Sequence, residues 1–174
     1  HFTDRRQRQM CIRDRGGAAC VISAINAVAK SNLPVYVIGL IPATDNRPSG
    51  NAYAPGDVVE MYDGTNVEVL NTDAEGRMIL ADALSYAKKY NPELVIDMAT
   101  LTGSAARAIG HFGIVSMHNK AEKQHQKLKE AGLEVYERLA EMPFWDEYDE
   151  LMKSDIADIR NIAVSYTHLR AHET

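Results

Sequence analysis

The sequence predicts an α/β layered fold with a central mixed, largely parallel sheet covered by helices. Apolar runs of strand length alternate with stretches of helical period along the chain, which is the pattern of such folds. Residues 35–41 are almost continuously apolar, as suits a strand covered on both faces. That run is the longest of its kind, far short of the ~20 apolar residues a membrane-spanning helix needs.

The elements follow in order. Residues 18–30 read as a helix with Val21, Ile25 and Val28 on one side and Cys20 as a small core residue. Pro34 precedes the strand at 35–41. Residues 45–57, rich in Pro, Gly, Asn and Ser, read as a long loop. Residues 58–61 and 67–70 alternate in polarity around Asp63-Gly64, so a hairpin or a pair of short strands is expected. Asp45, Asp57 and Asp63 stand in turn contexts. A helix is expected over 78–90, with Leu80, Ala83, Leu84 and Ala87 on one stripe. Strands are expected at 94–98 and 113–117, and a charged amphipathic helix at 121–141 with Leu128, Ala131, Val135 and Leu139 inward. Phe144, Trp145 and Tyr148 read as a cluster packed on the core. His111, His118 and His125 lack H-E-x-x-H spacing and read as solvated or loop residues.

The chemistry concentrates in Asn71-Thr72-Asp73-Ala74-Glu75-Gly76-Arg77. Two carboxylates two positions apart repel unless a cation or a proton sits between them. In extended backbone they point the same way. Divalent metals accept such oxygen ligands. Arg77 stands near a helix start, where free N–H groups and the dipole attract anions. The unit can be read as a metal site beside an anion site, but on the D-x-E spacing alone a solvated acidic turn is the favoured reading.

The longer string settles on one family. Residues 67–84, including the seven above, resemble the signature of the leucyl aminopeptidase (cytosol aminopeptidase) family of two-metal peptidases. Gly16-Gly17-Ala18-Ala19, Pro48-Ser49-Gly50-Asn51-Ala52-Tyr53, Pro55-Gly56-Asp57-Val58-Val59, Ile96-Asp97-Met98-Ala99-Thr100-Leu101-Thr102-Gly103 and Ser154-Asp155-Ile156-Ala157-Asp158 resemble other family segments in the right order. The resemblance implies that Asp73 and Glu75 are metal ligands, Glu75 bridging two divalent ions (Zn or Mn, Mg as a further option). It implies that Arg77 holds a bicarbonate general base, and that Thr100, Leu101 and Gly103 receive the substrate. It implies release of N-terminal residues such as leucine from peptides, a cytoplasmic location and a homo-hexamer.

The family also carries a Lys and an Asp metal ligand and a catalytic Lys before the double glycine; no matching segment stands here. Another Asp ligand lies two residues before Gly16. Asp14 occupies that register, as register only. Residues 1–15 and 164–174 resemble translated sequencing-library adaptors and are expected to be non-native tails around a partial catalytic domain at 16–163. The sheet is then expected to be incomplete at both ends and the chain alone inactive.

The whole chain has 174 residues, 19 Lys+Arg and 24 Asp+Glu. Without the tails, 13 basic and 21 acidic residues remain, a net charge of −8. Such a body exerts no electrostatic pull on nucleic acid or anionic membrane. Cys20 alone in the body excludes a disulfide framework there and fits a cytosolic compartment. A phosphate-binding loop of the G-x-x-x-x-G-K-[ST] type is absent. The alternative kept open is a non-catalytic α/β scaffold, or an anion-binding member of the same family.

Overall fold

The computed structural model describes residues 15–44, 46 and 49–163. Among them the strands are β1 (Val58–Glu60), β2 (Asn66–Glu68), β3 (Ile114–Ser116), β4 (Leu139–Glu141) and β5 (Ile159–Arg160). The helices are α1 (Gly16–Lys30), α2 (Glu75–Ala87), α3 (Ser104–Ile109), α4 (Glu122–Glu134) and α5 (Glu147–Glu150). They fall into two compact units: residues up to Leu101 with those from Met152 onward, and Thr102–Leu151.

In the first unit, α1 starts two residues before the predicted span. The Arg15 carbonyl accepts the Ala19 N–H at 3.0 Å. Gly17 is buried, and a Cβ there would collide with the Met98 carbonyl. The double glycine therefore lets the helix start press against backbone at 98–100. Cys20 is exposed, not the core residue expected, because this part of the helix has no apolar layer over it.

β1 and β2 form the expected hairpin, antiparallel with Val59 opposite Val67. Asp63 makes its turn: its carboxylate accepts the Thr65 N–H at 3.1 Å, and Gly64 takes φ +88°. Asp57 is likewise a turn former, accepting the Ala54 N–H at 2.7 Å, while Asp45 lies outside the described residues. Val67 and Val69, two apart, point the same way and are 3% and 0% exposed. Met61 and Met78 close this core, with Tyr53 and Val59 packed against it. Each such buried side chain contributes roughly 1.5–3 kcal/mol. Met78 thereby lays α2 on the hairpin. Two hydrogen bonds pin it there: Tyr62 N–H to Asp82 at 2.8 Å and Ser85 hydroxyl to Asp63 at 3.1 Å.

β5 adds to the other edge of β2 in parallel, giving the order β1-β2-β5 with Glu68 opposite Arg160. Ser154 donates to the Glu68 carboxylate at 2.5 Å and Arg160 Nε at 3.2 Å. Both partners hold the Glu68 carboxyl below its ordinary range, the Ser154 hydrogen bond first and Arg160 second.

The strands expected at 35–41 and 94–98 do not form in the described residues. Val35 is 57% exposed and Ile96 56%. An apolar strand of this kind needs neighbours on both sides to bury it, and here neither segment joins a ladder.

In the second unit, β3 and β4 are parallel with α4 as their crossover. The single helix expected over 121–141 is corrected: α4 stops at Glu134, Tyr136 takes φ +67°, and Leu139 enters β4. Gly132 allows the reversal, since a Cβ there would collide with the Glu137 carbonyl. Phe144 and Trp145 are exposed; Trp145 stacks on Tyr148 at 5.8 Å rather than on a core. His125 is buried, not on a solvated face. The α/β class holds, with one antiparallel and two parallel strand pairs among the described residues.

Candidate metal centre

The signature follows β2 as a short 3₁₀ turn, Thr72–Ala74, running into α2. Asn71 caps it, its side-chain oxygen accepting the Asp73 N–H at 2.9 Å. Asn46 donates to the Thr72 carbonyl at 3.1 Å. Glu75 lies in the first turn of α2, where the dipole favours a negative charge.

One oxygen of Glu75 is buried and has no hydrogen-bond partner among the described residues. Leaving a buried acceptor of a charged group unpaired costs about 1–3 kcal/mol or more. A cation at that oxygen removes the cost, so this donor fits a metal. Asp73, two residues earlier, is exposed. Among the described residues no third His, Cys, Asp or Glu closes into a ligand group with this pair. Burial, and after it the Glu75 charge, pushes the Tyr53 hydroxyl above its ordinary range.

Arg77 sits one step further along α2, and its Nη1 donates to the Asn161 carbonyl at 3.0 Å. Asn161 is 2% exposed. Its side-chain oxygen accepts the Leu70 N–H at 2.9 Å and the Asn71 N–H at 3.3 Å. Its amide donates to the Asn71 carbonyl at 2.6 Å. This clamp carries no sequence signal: Asn161 lies 84 residues from Arg77, in an unpatterned stretch. Tyr53 was legible only as part of a family-like segment.

Leu101 reaches the turn, its Cδ1 lying 3.3 Å from where a Gly76 side chain would begin. Thr100 packs at the start of α1, its Cγ2 2.8 Å from the corresponding point on Gly16. The structure thus brings Asp73, Glu75, Arg77 and Leu101 to one turn. Gly103 belongs to the second unit, where it precedes α3. The Thr102 hydroxyl accepts the Ser104 N–H at 3.2 Å there, as an ordinary cap does. Asp14 lies outside the described residues.

Comparison with known proteins is consistent across sequence and structure. Residues 4–172 match the model of the cytosol aminopeptidase family, catalytic domain. A probable cytosol aminopeptidase of Chlorobium limicola is 54% identical over 150 residues, 86% of this chain and 30% of the relative. The chain thus spans about 30% of the length of the curated relatives it matches. The cytosol aminopeptidase of Coxiella burnetii is similar in structure, with a TM-score of 0.79 and 37% identity over 89% of this chain and 34% of that one. The bottromycin maturation enzyme BotP in complex with Mn gives 0.81 and 35%, covering 88% and 34%.

Proposed function

Because the chain belongs to the cytosol aminopeptidase family, we propose that its parent protein releases N-terminal residues such as leucine from peptides by two-metal hydrolysis. The observation that carries this reading is the buried, unpartnered oxygen of Glu75 on the turn shared with Asp73 and Arg77. In the parent, Asp73 and Glu75 would be part of the ligand set of two divalent ions, which would supply Lewis acidity and an acidified water. Zinc or manganese suits the site, magnesium less so; the Mn complex of BotP supports a divalent ion of this kind.

Arg77 holds a bicarbonate that serves as general base. The tether to Asn161 fixes one arm of its guanidinium and so orients the fork. Thr100 and Leu101 receive the substrate backbone and first side chain; Gly103 is assigned to the same role by the sequence resemblance alone. Leu101 beside Gly76 brings an apolar surface to the metal turn, which suits an apolar first residue. With metal held at Asp73 and Glu75, the free α-amine of the peptide would have an anchor there, which would limit cleavage to the N-terminal residue. Asp14 matches the register of a further ligand but belongs to a non-native tail in this reading.

The parent acts in the cytoplasm, as the relatives' name suggests, and assembles as a homo-hexamer. Residues 1–15 and 164–174 are read as non-native, leaving a partial catalytic domain at 16–163. The chain alone does not turn over, because Asp73 and Glu75 are too few ligands for two ions. The test is hydrolysis of a leucine amide analogue with added Mn²⁺ or Zn²⁺. The complete gene product should be active and its Asp73→Asn/Glu75→Gln variant inactive; full activity in that variant sinks the reading. Metal-dependent turnover by this chain alone refutes its inactivity.

A further inference from the structure

We propose that His118, His125 and Glu141 form a second metal site, of a different chemical type, that binds one divalent transition-metal ion with zinc preferred. The proposal is independent of the function proposed above, since it lies wholly within the second unit.

The parallel strands build the site. Ser116 is the last residue of β3 and is paired with Glu141, the last residue of β4. His118 follows β3 by two residues. α4, the crossover between these strands, begins with its first turn beside them: the His125 N–H bonds to the Ala121 carbonyl at 2.8 Å. Three donors from three segments therefore gather at the C-terminal ends of two parallel strands, where ligands collect in α/β units.

The distances suit a metal. His118 Nε2 lies 3.3 Å from Glu141 Oε1, and His125 Nδ1 lies 3.7 Å from Glu141 Oε2. Zinc bonds of 2.0–2.2 Å in a tetrahedron put neighbouring donor atoms about 3.3 Å apart. One ligand atom from each residue lies within 4.8 Å of the others. Two imidazoles and a carboxylate are a donor set that zinc uses with a fourth position left for water.

The surroundings point the same way. His125 is 7% exposed in its side chain, and its Nε2 lies 3.0 Å from the Ser116 hydroxyl. When Nε2 donates to that hydroxyl, the Nδ1 lone pair turns toward Glu141, as outer hydrogen bonds do for metal-bound histidines. His118 Nδ1, on the far side of its ring, is buried with no partner among the described residues, so only Nε2 faces the cluster. His118 therefore makes its polar contact through Nε2, 3.3 Å from Glu141 Oε1, where either a proton or a metal ion can join the two atoms. Lys129 is the competitor, its ammonium 2.8 Å from Glu141 Oε2 and 31% exposed. Its flexible stem can leave toward solvent when an ion arrives. Among the described residues of this unit, only His125 and Gly132 are buried. A metal clip would supply the cohesion that an apolar core otherwise gives.

The experiment titrates Zn²⁺ alone into the metal-free chain carrying Asp73→Asn and Glu75→Gln, which removes the oxygen site. Imidazole nitrogen NMR and calorimetry read the result. One equivalent should bind and shift the ring nitrogens of both His118 and His125. His118→Asn and Glu141→Gln, at partly exposed positions that leave the fold standing, should each weaken binding by about 100-fold or more. Lys129→Ala should tighten it about tenfold; unchanged or weaker binding there counts against Glu141 as a ligand. Unmoved ring nitrogens at one equivalent, or unaltered affinity in His118→Asn, overturn the proposal.

Discussion

Asn161 grips Asn71 from both sides, donating its amide to the Asn71 carbonyl at 2.6 Å while its side-chain oxygen accepts the Asn71 N–H at 3.3 Å. Asn71 in turn caps the turn that bears Asp73. The position of the Asp73 carboxylate thus depends on a buried amide far away in sequence.

Replacing that amide tests the dependence. Asn161→Leu leaves the Leu70 and Asn71 N–H groups and the Asn71 carbonyl without their partner. Stability should fall by about 3 kcal/mol, since each buried group left unpaired costs roughly 1–3 kcal/mol. A urea unfolding midpoint reads it directly.

Acidification should loosen the pairing of β2 with β5. The Glu68 carboxyl is held below its ordinary range by Ser154 and then Arg160. A depressed folded-state value means this stabilisation is complete above the ordinary glutamate pKa of about 4.3 and fades as pH drops through the lower folded value. Glu68→Gln should melt lower than the parent chain at pH 7 and show a smaller drop in melting temperature between pH 5 and pH 3.

Gly17→Ala should destabilise by about 1–3 kcal/mol, the usual cost of forcing a methyl into a filled space. The Met98 carbonyl occupies the position a methyl would take. Ala at the exposed Gly50, which meets nothing, should melt close to the parent in the same thermal scan.

In the complete gene product, Arg77→Lys keeps the charge and loses the fork that the Asn161 carbonyl orients. Turnover should fall about 100-fold, the usual loss for one positioned donor. Metal content by elemental analysis should stay the same, which separates this effect from that of losing Glu75.

The signature and the hairpin were legible because their determinants are local. Asp63-Gly64 fixes a turn, and alternation at Val67 and Val69 names the buried face. The turn that carries Asp73, Glu75 and Arg77 was legible because the three lie within one short string. The clamp at Asn161 was not, because its partners come from a parallel pairing across about 90 residues. The false helix at 135–141 arose because Val135 and Leu139 continue the helical stripe. What stops α4 is the left-handed backbone at Tyr136, a residue type that gives no warning. The same miscount hid His125: four residues from Lys129 and charged neighbours, it reads as surface, yet the returning strand covers it.

The long span between Asn71 and Asn161 also sets an order of events during synthesis. Translation at roughly 5–20 residues per second leaves several seconds between the two asparagines emerging from the ribosome. Through that interval the acidic turn exists without its clasp. A nascent chain therefore displays these carboxylates before it shapes them.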